Sequence, residues 1–327
     1  MIRILLTGGA GYIGSHTAKR LSRAGYEPVT LDDLSTGHKW AVKWGPFIEG
    51  NVGDQKLIRE IVEQYQIKAV LHFAAHAYVG ESVVNPRKYF RNNVVATLNM
   101  LDTLIDCSVK HIIFSSSCAT YGIPERVPIP ETHRQAPVSP YGETKLMVER
   151  ILGWYNQAYG MEAACLRYFN AAGADQEGEL GEMHAPETHL IPLTILAARG
   201  AIESLSVFGT DYETPDGTAI RDYLHVSDIA EAHVLALEYL LNGGRSVDVN
   251  LGTGTGFSVF DVIHAVEAVS GCKVPVKLSA RRAGDPAALV ADATKAGKVL
   301  NWRAKVPDLH EIVRTAWDWH ALQPKAD

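Results

Sequence analysis

The stretch that decides the fold is Thr7-Gly8-Gly9-Ala10-Gly11-Tyr12-Ile13-Gly14. It follows residues 2–6, an apolar run that predicts a strand, and it leads into a segment with helical spacing of apolar residues. Gly8, Gly11 and Gly14 stand at the three positions of a dinucleotide-binding turn that exclude side chains. The first allows a tight turn, the second allows close approach of a pyrophosphate, and the third allows the helix to pack closely on the strand. Amides and the dipole at such a helix start favour phosphate. The stretch therefore predicts the first unit of a nucleotide-binding fold.

An acidic pair predicts which dinucleotide is bound. Asp32 ends the second predicted strand, 18 residues after Gly14, and Asp33 follows it. A carboxylate at this place accepts hydrogen bonds from the adenosine ribose hydroxyls and repels a 2′-phosphate. The cofactor expected is therefore NAD rather than NADP.

The first half of the chain continues the alternation of strand and helix, which indicates a parallel sheet with helices on both faces. Strands are predicted near 2–6, 28–32, 69–74, 111–116 and 163–167, and helices near 12–24, 56–65, 92–106 and 141–159. We expect an α/β fold, a Rossmann-like doubly wound parallel sheet with a smaller α/β substrate-binding domain. An acidic, glycine-bearing stretch sets the predicted boundary, with residues 1–175 binding NAD and residues 176–327 binding the substrate. A predicted strand near 247–251 could return to the first sheet.

Composition argues against several classes of function. The chain has 327 residues and a formal net charge of −6, which leaves no basic surface for nucleic acid or an anionic membrane. Its four cysteines show no CxxC spacing, and His72 and His76 straddle a predicted strand end, so we expect neither a disulfide framework nor a metal site. No apolar run approaches the ~20 residues of a membrane-spanning helix. The glycine turn also comes too early for a signal peptide. A cytoplasmic protein is expected.

A candidate catalytic group lies in the middle of the chain. Tyr141 and Lys145 are four residues apart at the start of a predicted helix, and Ser115-Ser116-Ser117 ends the strand before it. On one helical face an ammonium can stabilise a tyrosinate, and a phenol with a pKa of about 10 needs that help to act as a base near neutrality. This spacing often arises by chance. The pair follows the glycine turn and comes just after the carboxyl end of a strand, where ligands bind in such folds. This position favours a catalytic role over the alternative that Lys145 is only a solvent-exposed charge on a helix.

Further segments carry a family resemblance over nearly the whole chain. They are Thr7 to His16, His72-Phe73-Ala74-Ala75, Val79-Gly80-Glu81-Ser82, Asn92-Asn93-Val94, Ser139-Pro140-Tyr141-Gly142-Glu143-Thr144-Lys145, Leu166-Arg167-Tyr168-Phe169-Asn170, Gly217-Thr218-Ala219-Ile220-Arg221-Asp222-Tyr223 and Arg281-Arg282-Ala283-Gly284-Asp285. With them the sequence resembles the extended short-chain dehydrogenases/reductases and, within these, the UDP-sugar 4-epimerases. The resemblance implies a cytoplasmic homodimeric isomerase of galactose metabolism.

The resemblance also implies the reaction. UDP-glucose and UDP-galactose would interconvert through a 4-keto intermediate, with NAD regenerated in each turnover. Tyr141 would take the proton of the sugar 4-hydroxyl, Ser117 would hydrogen-bond that hydroxyl, and Lys145 would tune Tyr141 and hold the nicotinamide ribose. Arg221 and Arg282 would bind the diphosphate, since guanidinium groups suit paired phosphate oxygens.

The remaining site residues are carried over from the same resemblance. Implied cofactor contacts, besides the glycine turn and the acidic pair, are Tyr12, Ile13, Asn51, Val52, Phe73, Ala74, Asn92, Tyr141, Lys145 and Tyr168. Implied substrate contacts are Ser117, Tyr141, Asn170, His189, Leu190, Phe208, Arg221, Tyr223, Arg282, Asp285 and Leu289. A surface salt bridge is the alternative interpretation of Arg282 and Asp285.

Two questions stay open at this stage. Leu289 stands, within one position, where some relatives place a tyrosine that excludes 2-acetamido sugars, so UDP-GlcNAc/UDP-GalNAc and UDP-xylose/UDP-arabinose are alternative substrate pairs. A sugar-nucleotide dehydratase would need an acid beside the active serine, but Ser117 is followed by Cys118-Ala119-Thr120. Dehydration, a net dehydrogenase with exchangeable cofactor and a non-catalytic NAD-binding regulator are the competing functions.

Overall fold

The computed structural model describes residues 1–282 and 284–322, so Ala283 of the quoted motif lies outside the described residues. The strands in these ranges are β1 (Arg3–Thr7), β2 (Glu27–Asp32), β3 (Phe47–Glu49), β4 (Ala69–His72), β5 (His111–Ser117), β6 (Glu162–Tyr168), β7 (Asn170–Ala172), β8 (Leu205–Phe208), β9 (Ile220–Arg221), β10 (Tyr223–His225), β11 (Val247–Leu251), β12 (Phe257–Ser258), β13 (Val276–Ser279) and β14 (Ala288–Leu289). The α-helices are α1 (Tyr12–Arg23), α2 (Gln55–Tyr65), α3 (Val79–Val84), α4 (Pro86–Tyr89), α5 (Thr97–Asp106), α6 (Pro140–Tyr159), α7 (Leu190–Ala198), α8 (Val226–Leu241), α9 (Val259–Ser270), α10 (Thr294–Leu300) and α11 (Leu309–Leu322).

The main sheet has seven parallel strands in the order β11-β6-β5-β4-β1-β2-β3. This confirms the predicted Rossmann-like fold. The predicted return strand is β11, which pairs in parallel with β6 so that Leu251 lies opposite Tyr168. A segment from the second half of the chain therefore completes the first sheet. The division at residue 175 stays a prediction.

Apolar side chains cover both faces of this sheet. Ile4, Leu5 and Leu6 of β1 are all fully buried, because successive residues point to opposite faces and helices cover each one. Ile4 and Leu6 belong to the core on the side of α1 and α8, and Leu5 belongs to the core on the side of α2, α5 and α6. Burying each such side chain contributes about 1.5–3 kcal/mol.

A third core lies among α7, α9 and α11 in the second half of the chain. Short strands connect this region to the main sheet. β7 pairs with β10, β9 lies between β12 and β14, and β8 pairs with β13. Because β7 begins two residues after the carboxyl end of β6, its pairing with β10 brings a segment of the second half close to that edge of the main sheet. Within the described ranges, no helix combines the length and the apolar character that a bilayer crossing requires.

Two predicted elements differ from the structure by two residues at one end, and one strand of the main sheet, β3, was not predicted. The strand predicted over 69–74 ends at His72, because Phe73 and Ala74 turn to meet the glycine loop. The helix predicted over 92–106 starts with the wide π-type segment Phe90–Ala96 and becomes α5 at Thr97. The strand β3 has only three residues, too short to show a sequence period.

Candidate active site

The glycine turn between β1 and α1 leaves no room for side chains at two of its glycines. Gly8 has a φ of +74°, and a Cβ there would lie 2.5 Å from the Ala74 amide nitrogen. A Cβ on Gly14 would lie 2.3 Å from the Gly8 carbonyl oxygen. A Cβ on Gly11 would have its nearest neighbour at 3.4 Å, so this glycine leaves open space at the start of α1. The turn therefore fits the pyrophosphate of a dinucleotide at a helix N-terminus.

The predicted acidic pair stands at the end of β2 beside this turn. Asp32 accepts hydrogen bonds from the amides of Ala10 at 3.0 Å and Leu34 at 2.9 Å. Asp33 accepts from the Ser35 amide at 3.0 Å and from the Asn51 side chain at 3.2 Å. Burial raises the pKa of Asp32; for Asp33, burial opposes ionisation but hydrogen bonds from Ser35 and Asn51 prevail and lower its pKa. The structure thus brings predicted ribose and adenine contacts to one place.

The other predicted cofactor residues lie around the same edge of the sheet. Tyr12 begins α1 and its hydroxyl donates to the Gly173 carbonyl at 2.5 Å. Phe73 follows β4, and its amide donates to Thr7 at 2.8 Å, which holds the loop against β1. Tyr168 ends β6, and its hydroxyl shares a hydrogen bond with Ser115. Ile13 lies in the first turn of α1, Val52 follows β3, Ala74 lies against Gly8, and Asn92 lies in the π-type segment.

The candidate base is held at the start of α6. Ser139 caps this helix by accepting from the Gly142 amide at 3.2 Å, and Pro140 supplies a helical φ at the first position. Tyr141 and Lys145 then lie on one face, with the ammonium 5.8 Å from the Tyr141 ring centre. The Lys145 ammonium donates to the Ser115 carbonyl at 2.7 Å. The spacing read from the sequence therefore does bring the two groups together.

The environment sets opposite pKa shifts on this pair. Burial raises the pKa of Tyr141 to about 12, and a hydrogen bond with Ser117 lowers it in part. Burial lowers the pKa of Lys145 to about 7, against the attraction of Glu149. A cationic nicotinamide ring next to Tyr141 would favour the phenolate further. The site therefore holds a phenol whose ionisation depends on its neighbours.

Ser117 completes the catalytic group at the end of β5. Its hydroxyl accepts from the Ala119 amide at 3.1 Å, which fixes the side chain at the strand end. Parallel pairing sets Ser117 opposite Tyr168 of β6. Serine, tyrosine and lysine thus converge at the carboxyl end of β5, two strands from the glycine turn that follows β1. They can carry a proton to and from a hydroxyl group beside the nicotinamide.

The predicted substrate residues form a second wall. Arg221 of β9 makes an ion pair with Asp285, so Asp285 pairs with this arginine rather than with Arg282 as considered above. The Arg282 guanidinium lies 4.0 Å from the ring centre of Phe208 at the end of β8. Leu289 pairs with Arg221 across β14 and β9. Two of the predicted substrate contacts, Phe208 and Asp285, are therefore next to a guanidinium group.

The rest of the predicted substrate residues lie near the small sheets. Asn170 begins β7, and its amide donates to the Asp222 carbonyl at 3.0 Å. Tyr223 is buried in β10, and burial holds its pKa far above the usual value. His189 and Leu190 stand at the start of α7. These positions bring residues from both halves of the chain to the same edge of the main sheet.

Comparison with known proteins identifies the group to which this site belongs. A family model described as the NAD dependent epimerase/dehydratase family matches residues 4–252. The chain belongs to this family. The UDP-glucose 4-epimerase of Rhizobium leguminosarum bv. trifolii is 52% identical over 318 residues, covering 97% of each chain. These findings confirm the predicted NAD dependence, the predicted enzyme class and the resemblance to 4-epimerases.

Solved structures of family members agree with this assignment. The Brucella ovis UDP-glucose 4-epimerase, solved in complex with NAD, has a TM-score of 0.95 at 53% identity, covering 97% of this chain and 98% of that one. The UDP-Glc/GlcNAc 4-epimerase of Campylobacter jejuni has a TM-score of 0.86 at 41% identity, covering 98% and 99%. The whole described fold, and not only the nucleotide-binding half, is therefore that of family members.

Two groups beside the candidate catalytic residues were not predicted from the sequence. Arg167 of β6 forms a buried double hydrogen bond with Glu149 of α6, at 2.9 Å and 2.7 Å, and Ser116 donates to the same carboxylate at 2.5 Å. Asn93 binds both backbone groups of His76, at 2.9 Å and 3.0 Å. The one available signal was that Glu149 follows Lys145 by four residues, hence on the same helical face.

Proposed function

We propose that the protein catalyses the NAD-dependent interconversion of UDP-glucose and UDP-galactose through a 4-keto intermediate. The observation that carries the proposal is the convergence of Ser117, Tyr141 and Lys145 at the end of β5, near a turn that excludes side chains at Gly8 and Gly14. The turn fits a dinucleotide, and the three side chains fit proton transfer at a sugar hydroxyl.

Tyr141, Ser117 and Lys145 would each have a separate role in the reaction. Bound NAD supplies reversible hydride transfer at sugar carbon 4. Tyr141 takes the 4-hydroxyl proton and later returns it, and the hydrogen bond from the Ser117 hydroxyl favours the phenolate by lowering the pKa of Tyr141. The Lys145 ammonium, 5.8 Å from the ring centre, favours the phenolate by its charge. Its hydrogen bond to the Ser115 carbonyl keeps it in that position at 2.7 Å.

The nucleotide part of the substrate would bind to the second wall. Arg221 and Arg282 supply two guanidinium groups for the diphosphate. The ion pair with Asp285 holds Arg221 through one carboxylate oxygen and leaves the other for a ribose hydroxyl. Phe208 supports the Arg282 side chain by cation–π contact. Because the diphosphate anchors the substrate, the keto sugar can rotate within the site and receive hydride on its opposite face.

The sugar specificity depends on Leu289. This side chain packs against the apolar cluster that contains Cys118, Tyr121 and Phe169, just past the active serine. An aliphatic side chain here leaves more room than a tyrosine would. UDP-GlcNAc/UDP-GalNAc is therefore the second candidate pair, and UDP-xylose/UDP-arabinose the third.

Elimination of water is disfavoured by the state of Asp222, a carboxylate close to the residue that follows the active serine. Asp222 acts electrostatically on Cys118, the residue after the active serine. Both of its oxygens are taken by Thr253, Gly254 and Ala291, through four hydrogen bonds of 2.7 to 3.1 Å. A carboxylate that is bound in this way is structural, so Asp222 is not available as the acid or base of a dehydratase reaction.

The test is incubation of the purified protein with UDP-galactose, UDP-GlcNAc and UDP-xylose in separate reactions without added NAD. Products are resolved by chromatography or NMR. We expect 4-epimers with no accumulation of NADH, and loss of turnover in Tyr141→Phe. Tyr159→Phe, an exposed position at the end of the same helix, is the matched control and should keep full activity. A 4-keto-6-deoxy product, or no epimer even with NAD supplied, would refute the proposal.

We propose further that the protein is a cytoplasmic homodimer that acts in galactose metabolism. The apolar side chains of the helix predicted over 92–106 are mostly core, since Val94, Leu101 and Leu104 are buried. Other apolar side chains of this region are exposed, with Val95 51% and Trp154 of α6 69% accessible. Such side chains support pairing with a second copy through these helices. Trp154→Glu should halve the mass that light scattering gives for the wild-type protein. A wild-type mass equal to that of one chain would refute the proposed dimer.

A further inference from the structure

Four side chains of the segment that leads into α7 gather around one point. We call them the His-Glu cluster; its members are Glu182, His184, Glu187 and His189. The atoms that could bind a metal ion all lie within 4.8 Å of one another. Glu182 is buried, and the other three are partly buried. The cluster is separate from the serine, tyrosine and lysine of the catalytic group.

The two histidines turn the same ring nitrogen toward the same two carboxylates. His184 Nδ1 lies 3.4 Å from Glu182 and 3.6 Å from Glu187. His189 Nδ1 lies 2.9 Å from Glu182 and 2.9 Å from Glu187. With bonds of 2.0–2.1 Å, adjacent ligand atoms of a tetrahedral zinc ion are about 3.4 Å apart. The nitrogen–oxygen distances, which involve both oxygens of Glu187, lie on either side of this value, and all four groups are within 4.8 Å of one another.

One polar atom of the cluster has no hydrogen bond. His184 Nδ1 is buried and, although it lies near two carboxylates, it meets neither in hydrogen-bonding geometry. A buried nitrogen without a hydrogen bond destabilises the folded state, and a metal ion among the four groups would give it a bond. This observation points to a ligand independently of the charges.

A nearby acidic group shows what a filled cation site in this chain looks like. Asp175, Glu177 and Glu179 also lie close together, but the ammonium of Lys19 stands among them at 2.7, 2.9 and 2.6 Å. Its positive charge already satisfies these carboxylates. The His-Glu cluster instead offers imidazole and carboxylate groups, which are zinc ligands.

We propose that the His-Glu cluster binds one divalent transition-metal ion, Zn²⁺ in the first place. Two imidazoles and two carboxylates fill four positions, which is the pattern of a closed, structural site rather than a catalytic one. The ion would tie the segment after β7 to the first turn of α7, where His189 and Leu190 begin the helix.

The experiment measures metal in untagged full-length protein. After desalting without chelator, metal content is determined by mass spectrometry, and the protein is then titrated with Co²⁺. We expect one equivalent of metal per chain and the strong visible bands of four-coordinate cobalt. X-ray absorption of the zinc form should show two imidazole ligands with nitrogen and oxygen donors only. Added Zn²⁺ should raise the Tm of metal-depleted protein.

Variants decide whether the metal is in this cluster. Glu187→Gln and His184→Ala should each weaken Co²⁺ binding at least about tenfold. Glu177→Gln, in the acidic group around Lys19, is the matched control and should leave Co²⁺ binding unchanged. Unchanged binding in both cluster variants would place the metal elsewhere and overturn the proposal. Absence of cobalt bands in wild-type protein would overturn it as well, and the cluster would then be two histidine–carboxylate ion pairs.

Discussion

At the scale of single residues, Ser117 has an effect that can be separated from that of Tyr141. Its hydrogen bond lowers the pKa of the phenol, while burial raises that pKa to about 12. Ser117→Ala removes the bond, so we expect the pKa of Tyr141 to rise and kcat to fall about 10²-fold. The alkaline shift of the kcat–pH profile is the informative measurement. Ser117→Thr keeps a hydroxyl and should recover most activity; equal losses in both variants would show that the hydroxyl has no such role.

The choice of sugar also depends on one residue. Leu289 is partly buried against the cluster of Cys118, Tyr121 and Phe169. Leu289→Tyr fills part of this space, so we expect a selective loss of kcat/KM for UDP-GlcNAc of about 10–100-fold, with UDP-galactose changed little. Competition assays with the two sugars measure this ratio. Leu278→Tyr, at an exposed position of β13, is the control. Equal changes for both sugars would place the discrimination elsewhere.

At the scale of elements, α6 is fastened to the sheet by a buried charge pair. Glu149 of α6 and Arg167 of β6 share two hydrogen bonds, at 2.9 Å and 2.7 Å, and both side chains are at most 5% exposed. Burial opposes the charge on Arg167, but the bonds and charge of Glu149 prevail and raise its pKa. Removing Glu149 leaves the buried Arg167 with the half-exposed Asp248, at 3.1 Å, as its one remaining carboxylate among the described residues, and breaking a buried pair in this way costs about 3–5 kcal/mol.

Glu149→Leu should therefore lower the free energy of unfolding, measured by urea titration, by about that amount. The double variant Glu149→Leu/Arg167→Met should recover part of the loss, because no buried charge is then left without a partner. Asp106→Asn tests an exposed pair with Arg59 and should cost at most about 1 kcal/mol. Equal costs for the buried and exposed pairs would contradict this account.

The elements show how far local sequence carries a prediction. The five strands predicted in the first half all exist, because each is an apolar run between turn residues and buried on both faces. The glycine turn and the Tyr141–Lys145 spacing were equally local. Pairings such as Glu149 with Arg167 or Arg221 with Asp285 join residues 18 and 64 positions apart. No local period records such contacts, since only the packed sheet brings these positions together.

At the scale of the whole molecule, the described core buries several histidines in neutral form. Burial lowers the pKa of His72 to about 3 and those of His16, His225 and His233 to about 4. In the unfolded chain each would titrate near 6.5. Between about pH 6.5 and 4 the unfolded state thus binds more protons than the folded state. The stability that these histidines contribute is therefore fully present above pH 6.5 and is lost as the pH falls toward their folded-state pKa values.

We expect the free energy of unfolding to fall steeply from pH 6.5 to 4.5, with each buried histidine contributing up to about 1.4 kcal/mol per pH unit. Urea titrations at several pH values measure the slope. His233 is suited to a variant because its ring lies 4.6 Å from that of Phe73 in an apolar setting. His233→Leu should flatten the slope by nearly one proton, whereas His264→Asn, on an exposed face of α9, should leave it unchanged. If both variants keep the wild-type slope, carboxylates rather than buried histidines govern the acid limit, because only a group with different proton occupancy in the two states adds to it.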